Sequence, residues 1–349
     1  MKNYIQDGNT FIIAELSANH NGSLETALAT IDAAKRAGAD AIKLQTYTAD
    51  TLTIDCNKPD FVVKGGTVWD GQTLYELYQQ AYTPWDWHKA LFDYAKEVGL
   101  VCFSSPFDRT AVDLLEDLNC PIYKVASPEI TDIPLIEYIA LTGKPIIFST
   151  GIAGLEDIET ALDAAKSKGN YDLALLKCTT SYPAPIEEAN MAMIPEFKER
   201  FGVIPGLSDH TMGSTVPVVA TALGARIIEK HFILDRSIGG PDASFSMNEA
   251  EFTAMVKAVR EAEKAVGKVS YKLTEKQVQG RAFSRSLYVV NDIKAGEVLT
   301  EENVRSIRPG HGMHPKFLNV VLGSTASRDL EKGEALQESM FSKYSSKRY

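Results

Sequence analysis

Cysteine is the first thing this chain has little of. Cys56, Cys102, Cys120 and Cys178 are scattered without metal-ligand spacing, and Cys102 and Cys178 stand inside apolar runs where the residue acts as a small hydrophobe. They read as reduced thiols, and nothing resembles a cysteine-rich structural zinc site. Positive charge is short as well. A formal net charge of -10 at pH 7 leaves no excess for the basic face that nucleic acids and anionic membranes require. It does not exclude an anionic small substrate, because local charge governs a pocket. Residues 1–10 lack a basic start followed by an apolar core, and no later run approaches a membrane span, so a cytoplasmic enzyme is the expectation. No Gly-x-Gly-x-x-Gly fingerprint follows the first apolar run, which weighs against a dinucleotide fold.

What is present is alternation. Apolar runs at 11–16, 41–47, 101–107, 122–127, 145–151, 173–180, 203–210 and 226–232 read as strands. Between them lie stretches of helical period. Ser23 caps the first, with Leu24, Leu28, Ile31 and Ala34 on one face; others are expected at 84–99, 109–118, 134–142, 155–169, 191–201 and 215–224. The last, 248–267, carries the stripe Phe252, Met255, Val256, Val259, Ala262 and Val266. Such alternation dictates a parallel sheet, and eight strand–helix units over ~250 residues match a closed (β/α)8 TIM barrel better than an open doubly wound sheet. Residues 48–83 read as a long irregular excursion, expected to form a substrate-contacting wall. The chain of 349 residues has room for a second, smaller domain. Residues 268–284 read as a linker, and 285–349 as a small, mostly β module in which 292–301 returns in weaker form as 329–338.

The chemistry gathers at strand ends, where reactive groups of barrel folds collect. His210 and His231 end neighbouring runs, and Glu229, two residues before His231, shares its face. Two imidazoles could hold a divalent ion with positions left open for water and a substrate oxygen; the alternative is two ordinary polar residues. Lys43, Lys124 and Lys177 lie in the second, fourth and sixth runs and could converge on one region. Buried ammonium groups need partners, which Glu15, Glu129 and Glu229 could supply, or a bound anion. Ser105, Ser127, Ser149 and Ser208 surround them as a cradle for a phosphate or carboxylate, or else as turn and cap residues. Tyr182 and Asp242 are expected in loops over the same mouth, or else serve as ordinary turn residues.

Ala14-Glu15-Leu16-Ser17-Ala18-Asn19-His20-Asn21-Gly22, Lys43-Leu44-Gln45-Thr46, Ser104-Ser105-Pro106-Phe107, Tyr123-Lys124-Val125-Ala126-Ser127, Ser149-Thr150-Gly151, Gly206-Leu207-Ser208-Asp209-His210 and Glu229-Lys230-His231-Phe232 resemble, in this order, the motifs of the sialic acid synthase family. The resemblance covers nearly the whole chain, and the module from about Arg285, with Arg308-Pro309-Gly310, is similar to that family's antifreeze-like (SAF) carboxy-terminal domain. It implies a phosphoenolpyruvate-dependent condensation with an amino-sugar aldehyde, releasing phosphate. It implies a divalent metal on His210 and His231, Mn2+ foremost, with Mg2+ or Co2+ as alternatives. By the same resemblance Lys43, Ser105, Lys124, Ser127, Ser149 and Ser208 hold phosphoenolpyruvate, Gln45, Tyr182, Asp242 and Glu15 contact the sugar, and Glu15 or Glu129 manages protons. Arg308 would come from the partner chain of a domain-swapped homodimer.

Residues 17–20, 46–51, 73–78 and 83–88 look most like the family's pseudaminic acid-forming branch, whose sugar would be 2,4-diacetamido-2,4,6-trideoxy-L-altrose. Thr180 stands where several N-acetylneuraminate-forming relatives carry an amide, which puts the usual amide contact in doubt. N-acetylneuraminate or legionaminate synthesis is the alternative within the family, and a pyruvate aldolase using a strand lysine as its amine is the rival outside it.

Overall fold

The computed structural model describes residues 1, 3–5, 9–64 and 69–342. Residues 65–68 of the expected excursion and 343–349 of the small module lie outside them. Two compact units result, Met1–Gly267 and Lys268–Tyr349. In the first, eight parallel strands close on themselves in sequence order: β1 (Phe11–Glu15), β2 (Ala41–Thr46), β3 (Val101–Pro106), β4 (Tyr123–Val125), β5 (Ile146–Ser149), β6 (Leu173–Cys178), β7 (Ile204–Asp209) and β8 (Ile227–His231), with β8 returning to β1. The runs are continuously apolar because both faces of each strand are covered; every residue of β1 is buried.

Helices alternate with the strands, and several start where the sequence supplies caps. Ser23 accepts the Thr26 N–H at 3.1 Å, Asp132 that of Leu135 at 3.1 Å, and Asn248 forms a capping box with Glu251. In the helix Glu249–Val266, Phe252, Met255, Val256 and Val259 are buried, with Phe252 edge-on to Phe232 of the barrel at 5.2 Å. The expected stripe stops there, since Val266 is 55% exposed. Gly38 closes the first helix at φ +88, and a side chain there would press on Val256 at 3.2 Å.

Register sets the level of the mouth. Glu15 stands opposite Lys43 of β2 on one side and His231 of β8 on the other, Gln45 opposite Ser105, Cys178 opposite Ser208, and Ser208 opposite Glu229. The excursion after β2 is more ordered than expected. It holds the helices Ala49–Leu52 and Leu74–Ala81, each opened by a capping box, at Thr48 and at Thr73, and Tyr75 Oη joins them through Asp50 at 3.1 Å. The 84–99 helix begins as a tight turn, Trp85–Trp87, before its α-helical part His88–Glu97.

In the second unit the stretch expected as a linker carries a short helix, Glu275–Gly280. Beyond it β9 (Ser286–Val289) pairs antiparallel with β10 (Val304–Ile307), and β11 (Thr325–Ala326) with β12 (Phe341–Ser342). The internal repeat folds onto itself. Ile293 and Leu330 exchange backbone hydrogen bonds of 2.9 and 2.8 Å, Asp329 accepts the Ala295 N–H, and Asp292 accepts that of Lys332, both at 2.8 Å. Among the described residues no helix is long and apolar enough to cross a membrane.

Candidate active site

The pleat of β2 turns Lys43 and Gln45 to the same side. Lys43 Nζ lies 2.6 Å from Glu15 Oε2, 3.8 Å from Glu229 Oε1 and 3.5 Å from Ser105 Oγ. Burial opposes the ammonium, but the two carboxylates outweigh it and hold the Lys43 pKa above its usual value. The carboxylates share that cation unequally. Burial pushes Glu15 up to about 7 despite Lys43, while Glu229, facing both Lys43 and Lys124 and bonded by Ser208 Oγ at 3.1 Å, is held below its usual range.

Lys124 is differently placed. Its Nζ donates to Ser149 Oγ at 2.6 Å and to the Val125 carbonyl at 3.0 Å, both neutral, and burial lowers its pKa against the pull of Glu229. β4 ends at Val125, so Ser127 has left the strand and turns toward the same region, where it accepts the Gly151 N–H at 3.0 Å. A Cβ at Gly151 would fall 2.0 Å from Thr180 Oγ1 and 2.7 Å from Ser127 Oγ, so only glycine keeps this corner open. Glu129 follows in a short turn. Its Oε2 is buried without a hydrogen bond, and burial raises its carboxyl to about 7 although Lys124 pulls it down.

The third expected lysine does not converge. Lys177 Nζ bonds the Cys178 carbonyl at 2.8 Å and Thr179 Oγ1 at 3.2 Å, and Cys178 is the β6 residue that faces the cavity. A third buried lysine at this end, next to His231 in sequence, is Lys230. It is paired to Asp209 at 2.7 Å and bonded to the Thr211 carbonyl at 2.6 Å, a link that ties β8 to the loop after β7.

His210 and His231 approach with ring centroids 5.3 Å apart, and Tyr182 lies against both, 4.4 and 6.5 Å away. Among the described residues no three His, Cys, Asp or Glu side chains are grouped to hold a metal. The pair nevertheless suits one. His210 Nδ1 is committed to the Thr179 carbonyl at 2.9 Å, which leaves Nε2 for a ligand; His231 Nδ1 is buried without a hydrogen bond, 3.9 Å from Asp242 Oδ2. Burial, the facing His210 and the Lys43 and Lys230 ammoniums lower the His231 pKa, which favours the neutral form that coordinates. At His210 burial is outweighed by Cys178 and the Thr179 carbonyl, which hold its pKa above the usual value. These residues fit a divalent ion held by two imidazoles, with the remaining positions taken by water and substrate oxygen.

These groups open into one cavity of about 450 Å3. Of the expected residues, Glu15, Lys43, Gln45, Lys124, Ser127, Glu129, Ser149, Tyr182, Ser208, His210, His231 and Asp242 line it. Ser105 lies behind Lys43, and Arg308 belongs to the second unit, exposed beside the Arg308-Pro309 cis bond. The excursion does supply a wall, with Leu52, Leu74, Leu77 and Tyr78, and Tyr47 packs between Tyr78 and Phe107 at 5.7 and 5.1 Å. Ser17, also in the lining, was not among the expected site residues; its place in the Glu15-Leu16-Ser17 motif and in the 17–20 stretch of the branch resemblance was the signal.

Comparison with known proteins follows the same division. The model of the NeuB family matches residues 30–271, and that of the SAF domain residues 284–342. The pseudaminic acid synthase of Campylobacter jejuni is 52% identical over 97% of this chain and 98% of its own length; that of Helicobacter pylori is 47% identical over 93% and 96%. The crystal structure of the spore coat polysaccharide biosynthesis protein spsE of Bacillus subtilis is similar, with a TM-score of 0.65 and 34% identity over 95% of each chain.

Proposed function

The chain belongs to the NeuB family, and on that premise we propose that it forms pseudaminic acid, condensing phosphoenolpyruvate with 2,4-diacetamido-2,4,6-trideoxy-L-altrose and releasing phosphate. The observation that carries this reading is one cavity whose lysine- and serine-lined side adjoins a pair of imidazoles.

Lys124, with Ser127, Ser149 and the Gly151 corner, holds the phosphate and carboxylate of phosphoenolpyruvate, and Lys43 with Ser105 and Ser208 fixes its orientation. A divalent ion on His210 and His231, Mn2+ foremost, would supply polarisation of the sugar's aldehyde oxygen. Gln45, Tyr182, Asp242 and Glu15 hold the sugar so that its aldehyde carbon faces the methylene carbon of phosphoenolpyruvate. The C–C bond forms between these two, and the aldehyde oxygen takes up a proton. The cationic carbon left on the phosphoenolpyruvate side takes a water, which loses a proton; the resulting tetrahedral centre expels phosphate by C–O cleavage and leaves the keto acid. Glu15 and Glu129, both raised to about 7, can give and accept protons near neutral pH.

We read the chain as a cytoplasmic homodimer in which Arg308 of one copy reaches the sugar in the other. In support, Arg308 is exposed and makes no hydrogen bond or ion pair among the described residues, and Val269, Tyr271 and Phe283, in the segment before β9, are 93%, 96% and 72% exposed.

Phosphate release from phosphoenolpyruvate, measured side by side with the altrose derivative, N-acetylmannosamine and the legionaminate precursor, tests the reading. Release is expected with the first far above the others, and equal or greater release with either of the others overturns it. The depressed Lys124 favours one competitor, a Schiff-base aldolase, and trapping of pyruvate on the protein by borohydride would establish that instead.

A further inference from the structure

Four residues other than glycine hold positive φ among the described residues: Ser17, Asn21, Asn119 and Asn190. Asparagine tolerates the left-handed region because its short amide bonds locally; serine has no such advantage, and a residue with a Cβ is strained there. Ser17, at φ +46, is 4% exposed and lines the cavity. Strain kept at a buried position asks what the side chain does.

Its hydroxyl is used in both directions. It donates to Asp242 Oδ2 at 2.5 Å and accepts from Gln45 Nε2 at 3.0 Å. Gln45 Nε2 also donates to Glu15 Oε1 at 3.0 Å, and Asp242 Oδ2 also takes the Ala18 N–H at 3.3 Å. One hydroxyl therefore joins the end of β1, the end of β2 and the loop after β8 at a single point. Asp242 sits behind Gly239, Gly240 and Pro241, a stretch whose two glycines both have positive φ and which cannot fix a carboxylate by its own backbone regularity. A glycine at position 17 would relax the backbone and leave the amide and carboxylate to find their own rotamers.

We propose that Ser17 is a positioning residue for the sugar: its strained backbone aims the hydroxyl that orients Asp242 and Gln45 toward the substrate. This rests on the reading that those two side chains face the sugar. Ser17→Ala and Ser17→Gly separate the hydroxyl from the strain. Both remove the hydroxyl, and only the second relieves φ. In both, kcat/KM for the sugar falls on the order of tenfold or more, as expected when a hydrogen bond to a charged group is lost, while KM for phosphoenolpyruvate stays within about twofold. The glycine variant melts above the alanine variant, yet is no more active.

Two results overturn the proposal: wild-type kcat/KM for the sugar in either variant, or sugar kcat/KM that tracks melting temperature, with the glycine variant near wild type. The assay uses whichever sugar the wild-type enzyme accepts. A preference for a sugar other than the altrose derivative would therefore refute the functional reading while leaving the Ser17 comparison decisive.

Discussion

Replacing Glu129 by glutamine gives a sharp test of how the site stores its protons. The Glu129 carboxyl is raised by burial from 4.5 to about 7, and its Oε2 has no hydrogen bond. The folded chain then binds a proton more tightly than the unfolded one, so this group's stabilising contribution is complete below about pH 4.5 and is lost as pH rises through about 7. A shift of that size, at about 1.4 kcal/mol per unit, is worth about 3 kcal/mol. Glutamine has the shape of the neutral acid and does not titrate. Glu129→Gln should match wild type near pH 4 and exceed it by about 3 kcal/mol near pH 8, measured by denaturant unfolding without substrates. Glu15, raised to the same region, slopes the same way in both proteins and cancels. Parallel pH profiles for the two proteins would refute the assignment of that proton to Glu129.

Lys43→Met leaves Glu15 and Glu229 buried beside a lost cation, which should cost about 3–5 kcal/mol and raise KM for phosphoenolpyruvate; adding Glu15→Gln should return part of the stability, as thermal unfolding of the single and double variants would show. Dialysis against a chelator should abolish turnover and Mn2+ should restore it, whereas His231→Ala should not be restored at the same metal concentration. Oxygen-18 in the bridging position of phosphoenolpyruvate should leave with phosphate, followed by mass spectrometry. Label retained in the sugar acid would refute C–O cleavage.

The barrel was legible because its strands are short, mostly apolar runs and several of its helices begin at caps, although those at Met193–Phe201 and Thr215–Ala222 start without a side-chain cap bond. The excursion was misread as irregular although Thr73 and Glu76 already carried the capping-box spacing; the surrounding glycines and aromatics masked an eight-residue helix. Lys177 was misplaced because convergence of lysines was argued from strand number, and strand alternation decides it instead. Cys178 faces the cavity, so its neighbour cannot. Ser127 reaches the cavity because β4 ends at Val125, before it. Ser17 had no such route, since a positive φ leaves no periodicity in a sequence and its partner Asp242 is 225 residues away.

If phosphoenolpyruvate binds as proposed, the two cavity lysines share it unequally. Lys43 already has a carboxylate at 2.6 Å and a second at 3.8 Å, so an incoming anion gains little there and meets repulsion from Glu229. Lys124 has only a hydroxyl and a carbonyl, and its lowered pKa records an ammonium that burial penalises. An anion that sits on Lys124 removes that penalty, and its arrival in turn favours the charged amine. On the proposed reading, this unequal pair keeps Lys43 as a strut between the glutamates and leaves Lys124 as the pole that draws phosphoenolpyruvate. Glu15 and Glu129, both raised to about 7, are then partly protonated near neutral pH, which lessens their repulsion of an incoming anion.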